Sequence, residues 1–185
     1  MRRLSTLPAQ AAVTRLPAVP DTTVPGVPAY VGVGANLGDA HRSVIDAIAA
    51  LGRLPGCTLR CSSAVYRSAP VDAAGPDFFN AVAELHTTLS PTALLLALQA
   101  IESACGRERP YLNAPRTLDL DLLLHGDTVL DTPVLTLPHP RLHRRAFVLR
   151  PLLDLAPDLA APGLGRLAAW LPGVAGQVLE KPAHR

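Results

Sequence analysis

Two alternating aspartates, in the run Pro115-Arg116-Thr117-Leu118-Asp119-Leu120-Asp121-Leu122-Leu123-Leu124, are the residues from which chemistry follows most directly. In a strand, alternate residues share a face, so Asp119 and Asp121 project together while Leu118, Leu120 and Leu122 turn to the core. Neighbouring carboxylates repel and raise each other's pKa unless a cation lies between them. A hard divalent ion meets that demand: magnesium takes one or two carboxylates and completes its shell with water and phosphate oxygens. An exposed strand with an acidic outer face would show the same spacing, so the neighbouring residues have to decide.

Those neighbours are arginines. Arg107, Arg109 and Arg116 bracket a loop that ends just before the acidic strand. Guanidinium forks match phosphate oxygens and keep their charge. Arginines beside a two-carboxylate metal site are what phosphoryl transfer requires, because charge moves to the leaving group as the bond breaks. A further cationic cluster, Pro138-His139-Pro140-Arg141-Leu142-His143-Arg144-Arg145-Ala146-Phe147, enters a predicted helix whose N-terminus would itself attract an anion near Arg145. His139 and His143 have no third ligand at zinc spacing, and His143 and His125 are read as solvated loop residues.

These groups need elements to hold them. Ala29 to Gly34 reads as a buried strand entering the turn Gly34-Ala35-Asn36-Leu37-Gly38, and Asp39 can cap a helix with Val44, Ile45, Ile48 and Leu51 on its apolar face. Thr58 to Arg67 reads as a second strand, Ser68 to Pro76 as a loop and Phe78 to Thr87 as a third strand. Ser90-Pro91 starts a second helix with the stripe Leu94, Leu95, Leu98 and Ile101. The acidic strand follows at Thr117–Leu124, and a short strand near 128–130 could pair with it. A helix is expected over about 145–155, with Pro151 forcing a break or a late start, and then a short amphipathic segment near 164–171. Strand, helix, strand, strand, helix, strand is the α+β, ferredoxin-like split βαβ sandwich with additional C-terminal elements, its helices on one face of an antiparallel sheet.

Composition narrows the function classes. At 49% hydrophobic and 17% charged, the chain is too apolar to be disordered throughout, and no apolar run reaches the length of a membrane span. The cations are 16 Arg and a single Lys, and the net +2 is carried by residues 1–28, a proline-rich stretch expected to be a disordered extension. Residues 29–185 are expected to form a single, electrically balanced domain, which argues against nucleic acid or a membrane as partner and for a small anion met locally. Cys57, Cys61 and Cys105 form no paired motif and are expected to be buried or neutral thiols in a reducing, cytoplasmic setting.

With these residues in view, the order Tyr30-Val31-Gly32-Val33-Gly34-Ala35-Asn36-Leu37-Gly38, Tyr66-Arg67-Ser68-Ala69-Pro70, Phe78-Phe79-Asn80-Ala81, Ile101-Glu102, Gly106-Arg107, Pro115 to Asp121 and Pro138-His139 resembles the 6-hydroxymethyl-7,8-dihydropterin pyrophosphokinases of folate biosynthesis. The resemblance spans about residues 29 to 160. It implies transfer of the β,γ-pyrophosphoryl group of ATP to the hydroxymethyl of the dihydropterin, with release of AMP. Two magnesium ions would be held by Asp119 and Asp121, and Arg107 and Arg116 would act on the transferring group. Gln99, Glu102, Arg109, Leu122, Thr136, His139 and Arg145 would surround ATP. Ser68, Val71, Phe78, Asn80 and Phe147 would line the pterin slot, and a monomer is expected. Departures from the usual pattern are Ser68 for Thr, Ala69 for Pro, Phe78 for Tyr, Asn113 where a loop Trp often closes, and Pro140 after His139.

Two other classes share part of this signature. A nucleotide-sugar glycosyltransferase also uses an Asp-x-Asp metal site but calls for a larger nucleotide domain. A ferredoxin-like regulatory module could bind a small anion through its arginines, yet it has no need of paired aspartates facing a glycine turn.

Overall fold

The computed structural model describes residues 26–70, 75–105 and 118–181, with the backbone of Thr14–Arg15. In chain order the elements are β1 (Thr14–Arg15), β2 (Val27–Ala35), α1 (Ala40–Leu51), β3 (Cys57–Ser62), β4 (Tyr66–Ser68), β5 (Phe78–Thr87), α2 (Pro91–Ala104), β6 (Asp119–His125), β7 (Leu130–Asp131), β8 (Thr136–Leu137), α3 (Ala146–Leu155), β9 (Ala160–Ala161), β10 (Gly165–Arg166) and β11 (Leu179–Glu180). Short 3-10 helices lie at Leu142–Arg144 and Leu167–Val174.

The main sheet runs β1-β3-β5-β2-β6, every pairing antiparallel, with β4 on the end of β5 and β11 on β4. α1 joins β2 to β3 and α2 joins β5 to β6, each crossing over a strand that lies between. Two such split crossovers make the ferredoxin-like frame.

The helices begin where the sequence places their caps. The Asp39 carboxylate accepts from Arg42 N at 3.0 Å, after Gly38 turns the chain at φ 60°. Ser90 Oγ accepts from Ala93 N at 3.2 Å, with Pro91 in the first turn. Each such cap contributes about 1 kcal/mol. The buried faces differ in detail from the expected stripes. α1 buries Ala40, Val44, Ala47 and Leu51, and Ile45, one residue round from Val44, points to solvent. α2 buries Leu94, Leu98 and then the carboxylate-bearing Glu102, while Leu95 and Ile101 are half-buried.

Four further expectations are corrected. The strand over Thr58–Arg67 is two strands, because Ser63 hydrogen-bonds Val82 with both its hydroxyl and its backbone N–H, and the chain jogs there before re-pairing as β4. The segment near 128–130 does not pair with β6. β7 pairs with β8 in a hairpin closed by Thr132 and Leu135. Pro151 lies inside an unbroken α3. His125 is buried, its ring between Leu89 O at 2.9 Å and Thr128 Oγ1 at 3.4 Å, and His143 is half-buried against Trp170 at 4.4 Å.

Helices cover both faces of the sheet, where the sequence pointed to one. Ala29, Val31, Val33 and Ala35 of β2, with Leu118, Leu120 and Leu122, pack against α1 and α2. Tyr30, Val82, Leu123 and Leu124 pack on the opposite face against α3 and the second 3-10 helix. Leu123 is an extra residue in the β2–β6 pairing, since Tyr30 faces Leu124 and Val31 faces Leu122. This bulge shifts the alternation, so that Leu124 joins Leu123 in the α3 core. The three cysteines are free thiols. Cys61 is buried, Cys57 is half-buried with its pKa raised by desolvation, and Cys105 is exposed. Cys61 Sγ reaches Glu84 at 3.4 Å, and burial, helped by Glu84 and Cys61, pushes the Tyr30 phenol up to about 12.

Leu98 is fully buried between α2 and the sheet. Leu98→Ala is expected to lower unfolding free energy by about 3 kcal/mol, measured by urea titration.

Candidate active site

The same alternation that fills one face of the sheet with leucine and valine sets polar groups on the other. Asp119 and Asp121 project from β6 on the α3 side, and their partners across β2 are Gly34 and Gly32. Gly34 is also paired with Asn80 of β5. With no side chain at Gly34, the strip between Asp119 and Asn80 stays open. A Cβ there would come within 3.2 Å of Asn80 Oδ1, closer than that neighbour tolerates without moving.

On the β5 side of the strip, Asn80 is buried and donates from Nδ2 to Ser68 Oγ at 3.0 Å. That bond orients the amide and leaves Oδ1 toward the space over Gly34. Phe78 follows on the same face, paired with Ser68. Beyond Ser68 lies a cavity of about 310 Å³, lined among others by Ser68, Phe147, Gly176, Gln177, Val178 and Leu179.

The β6 side carries the charge. Arg145, the residue that starts α3, places Nη1 3.8 Å from Asp121 Oδ2 and stacks its guanidinium 5.4 Å from the Phe147 ring centroid. His139 reaches the same place through the bulge, because its N–H donates to the carbonyl of Leu123 at 2.9 Å. Burial holds the His139 pKa below the ordinary value. Asp121 and Asp119 oppose that shift, and Arg145 and Arg141 reinforce it. Nδ1 accepts from Arg141 N at 3.2 Å, so the neutral ring carries its hydrogen on Nε2.

β6 is the edge of the sheet, and the buried Glu102 completes it. Its Oε1 accepts from Leu120 N at 2.8 Å, between the two aspartates. The position read as an ATP neighbour therefore holds the acidic strand in place from α2.

Asp119, Asp121, His139 and Arg145 are thus gathered on one side, and Ser68, Phe78, Asn80 and Phe147 on the other. Leu122 turns its side chain into the α1/α2 core, which leaves its backbone for any contact on this face. Gln99 is exposed on α2, and Thr136 is half-buried on β8 with its hydroxyl 3.4 Å from Asp131 Oδ1. Val71, Arg107, Arg109, Asn113 and Arg116 lie outside the described residues, as do most of residues 1–25. Sequence reasoning missed the clearance at Gly34, although glycines at 32 and 34 share one strand face. It also missed Gln177, for which no sequence signal existed.

Two carboxylates on one strand, with no third metal-ligating group clustered with them among the described residues, form an incomplete donor set. Such a set fits magnesium, which leaves several positions to water and substrate oxygens. It does not fit a closed structural site.

A ferredoxin-like sheet with paired aspartates, an arginine and a neutral histidine over a glycine-floored strip defines a phosphate-handling α+β enzyme class. Comparison with known proteins makes the assignment specific. The family model described as 7,8-dihydro-6-hydroxymethylpterin-pyrophosphokinase matches residues 30–157. The chain is 49% identical over 134 residues to the 2-amino-4-hydroxy-6-hydroxymethyldihydropteridine pyrophosphokinase of Pseudomonas aeruginosa, covering 72% of this chain and 83% of that protein. It is 41% identical over 135 residues to the folic acid synthesis protein fol1 of Schizosaccharomyces pombe, covering 72% of this chain but 18% of that longer one. In fold it is similar to the Plasmodium falciparum HPPK-DHPS protein solved with pterin and p-hydroxybenzoate, at TM-score 0.64 and 12% identity, over 82% of this chain and 44% of that one. The chain belongs to the 7,8-dihydro-6-hydroxymethylpterin-pyrophosphokinase family and is a pyrophosphokinase of folate biosynthesis.

Glu102→Leu leaves the Leu120 N–H without its acceptor. It is expected to cost about 2 kcal/mol of stability and to lower turnover, read by urea unfolding alongside initial rates. Unchanged values in both would dissociate Glu102 from the strand it contacts.

Proposed function

We propose that this chain transfers the β,γ-pyrophosphoryl group of ATP to the hydroxymethyl oxygen of 6-hydroxymethyl-7,8-dihydropterin, releasing AMP. The observation that carries this reading is the placement of Asp119 and Asp121 beside Arg145 and His139, one glycine-wide strand away from the Asn80–Ser68 pair. Two magnesium ions at Asp119 and Asp121 would neutralise the triphosphate and draw charge from the bridging oxygen. The reading takes the protein as a cytoplasmic monomer with only these small substrates, and residues 29–185 as one catalytic domain, to whose sheet Thr14–Arg15 and Val27–Pro28 also pair.

The protein's own groups divide the work. Asn80 offers an oriented amide to the donors and acceptors on a pterin edge. Phe78 and Phe147 supply flat apolar faces for the ring. Arg145 is held near Asp121 and stacked on Phe147, so it joins the nucleotide side of the strip to the pterin side. His139 Nε2–H donates to a phosphate oxygen. Glu102 keeps β6 from drifting, with Gln99, Leu122 and Thr136 about the nucleotide. Arg107, Arg109 and Arg116 would bring further cations from the segment that precedes β6 and follow the charge as it develops. Placing the hydroxymethyl oxygen in line with the β-phosphorus and shutting out water supplies most of the acceleration, and no side chain is required as a strong base.

ATP, magnesium and the dihydropterin incubated with the protein should yield AMP and the pterin diphosphate in equal amounts. Asp119→Ala should lower the rate by at least about a thousandfold with an unchanged circular dichroism spectrum. ADP as product, or near-normal activity in that variant, would refute the assignment.

Gly34→Val is expected to push Asn80 out of register with its ligand and raise the KM for the pterin by about tenfold or more. A KM effect confined to ATP would show that Asn80 serves the other substrate.

A further inference from the structure

We infer that Gln177, in the C-terminal segment, is a positioning residue that sets the two side chains through which α3 enters the active site. Arg145 and Phe147 flank Ala146 at the first turn of that helix, and Arg145 makes no capping hydrogen bond with its own side chain. Gln177 takes over the task from a distance of more than thirty residues along the chain. Its Oε1 accepts from Ala146 N at 2.8 Å, and its Nε2 donates to Arg144 O at 2.8 Å. The two bonds grip the backbone on either side of Arg145, so the peptide carrying the guanidinium cannot rotate without breaking one of them.

The grip works because the segment that delivers it is anchored on both sides. Before Gln177, Val174 and Leu167 of the 3-10 helix are buried against α3. After it, β11 pairs with β4, Leu179 opposite Ser68 and Glu180 opposite Arg67. Arg67 Nε is 3.6 Å from Glu180 and 3.0 Å from Asp77, and Lys181 Nζ stands 5.9 Å from the Tyr66 ring centroid. Ser68 is therefore held by Asn80 on one side and by the tail strand on the other. Gly176 to Leu179 form a wall of the cavity that Ser68 and Phe147 open into. The family match ends at residue 157, so this wall is built by a segment outside the matched core.

The inference rests on the proposed reaction, in which Arg145 serves the nucleotide and Phe147 the pterin. Both polar atoms of the Gln177 side chain are engaged by the backbone of residues 144 and 146, which gives it a positioning role. Its removal should therefore weaken substrate binding through two other residues and leave most of the fold's stability intact.

Three variants test this: Gln177→Met, which keeps the length and loses both bonds; Gln177→Glu, which keeps the acceptor for Ala146 N and loses the donor; and Glu180→Ala, which loosens the tail elsewhere. Gln177→Met should raise the KM for ATP and for the pterin by about fivefold each, with kcat within about twofold and a melting temperature close to wild type. Gln177→Glu should recover part of that loss, and Glu180→Ala should leave both KM values near wild type. Equal KM values in Gln177→Met and wild type would overturn the inference. So would an equal loss in Glu180→Ala, which would make the tail a general brace. If Gln177→Met does not fold, a Gln177→Glu enzyme with wild-type constants overturns it. If wild type itself forms no AMP, the reaction fails separately, and hydrogen exchange then decides the clamp. Faster exchange at residues 145–148 in Gln177→Met or Gln177→Glu supports it, and unchanged exchange overturns it.

Discussion

The structure depends on the register of one strand. β2 lies between β5 and β6, and every residue along it is committed to one of two faces by the period-two alternation of extended backbone. Ala29, Val31, Val33 and Ala35 bury one face. Gly32 and Gly34 follow Tyr30 on the other, where the Leu123 side chain packs over Gly32 and Gly34 leaves its part of the face open. A slip by one residue would send valines into the strip and glycines into the core. The polar site therefore occupies a bare strip left by the same strand that organises the apolar core, and the two cannot be varied independently.

Charge at the site is managed by geometry as well as by pairing. Asp119 and Asp121 would be an unfavourable pair on a fully covered sheet. They sit at an edge strand, partly open, with Arg145 beside one of them and His139 kept neutral by burial and by neighbouring arginines. The bulge at Leu123 adds Leu124 to the apolar end of the face on which Asp119 and Asp121 lie, and the carbonyl of Leu123 fixes the amide of His139.

Much of the frame was legible because it rests on local rules. Asp39 and Ser90 cap the helices they were expected to cap, and Leu118, Leu120 and Leu122 alternate with the aspartates as their spacing requires. Errors fell where a distant group outweighed a local preference. Pro151 breaks nothing, because it is buried in a helix held by tertiary packing. His125 is taken into the interior by the carbonyl of Leu89, 36 positions away, which loop composition could not disclose. Ile45 follows helical spacing as well as Val44 does, and only the angle at which α1 meets the sheet tells them apart.

By itself, the sequence determined the ferredoxin-like order of elements and the shared face of Asp119 and Asp121, because periodicity is a property of neighbouring residues. Only the tertiary structure decided that α3 closes the second face, that Glu102 braces the acidic strand, and that Gln177 grips the start of α3. Each of those rests on a hydrogen bond or a packed surface between segments far apart in the chain. No local spacing encodes such a contact, since it exists only once the sheet has brought its two partners together.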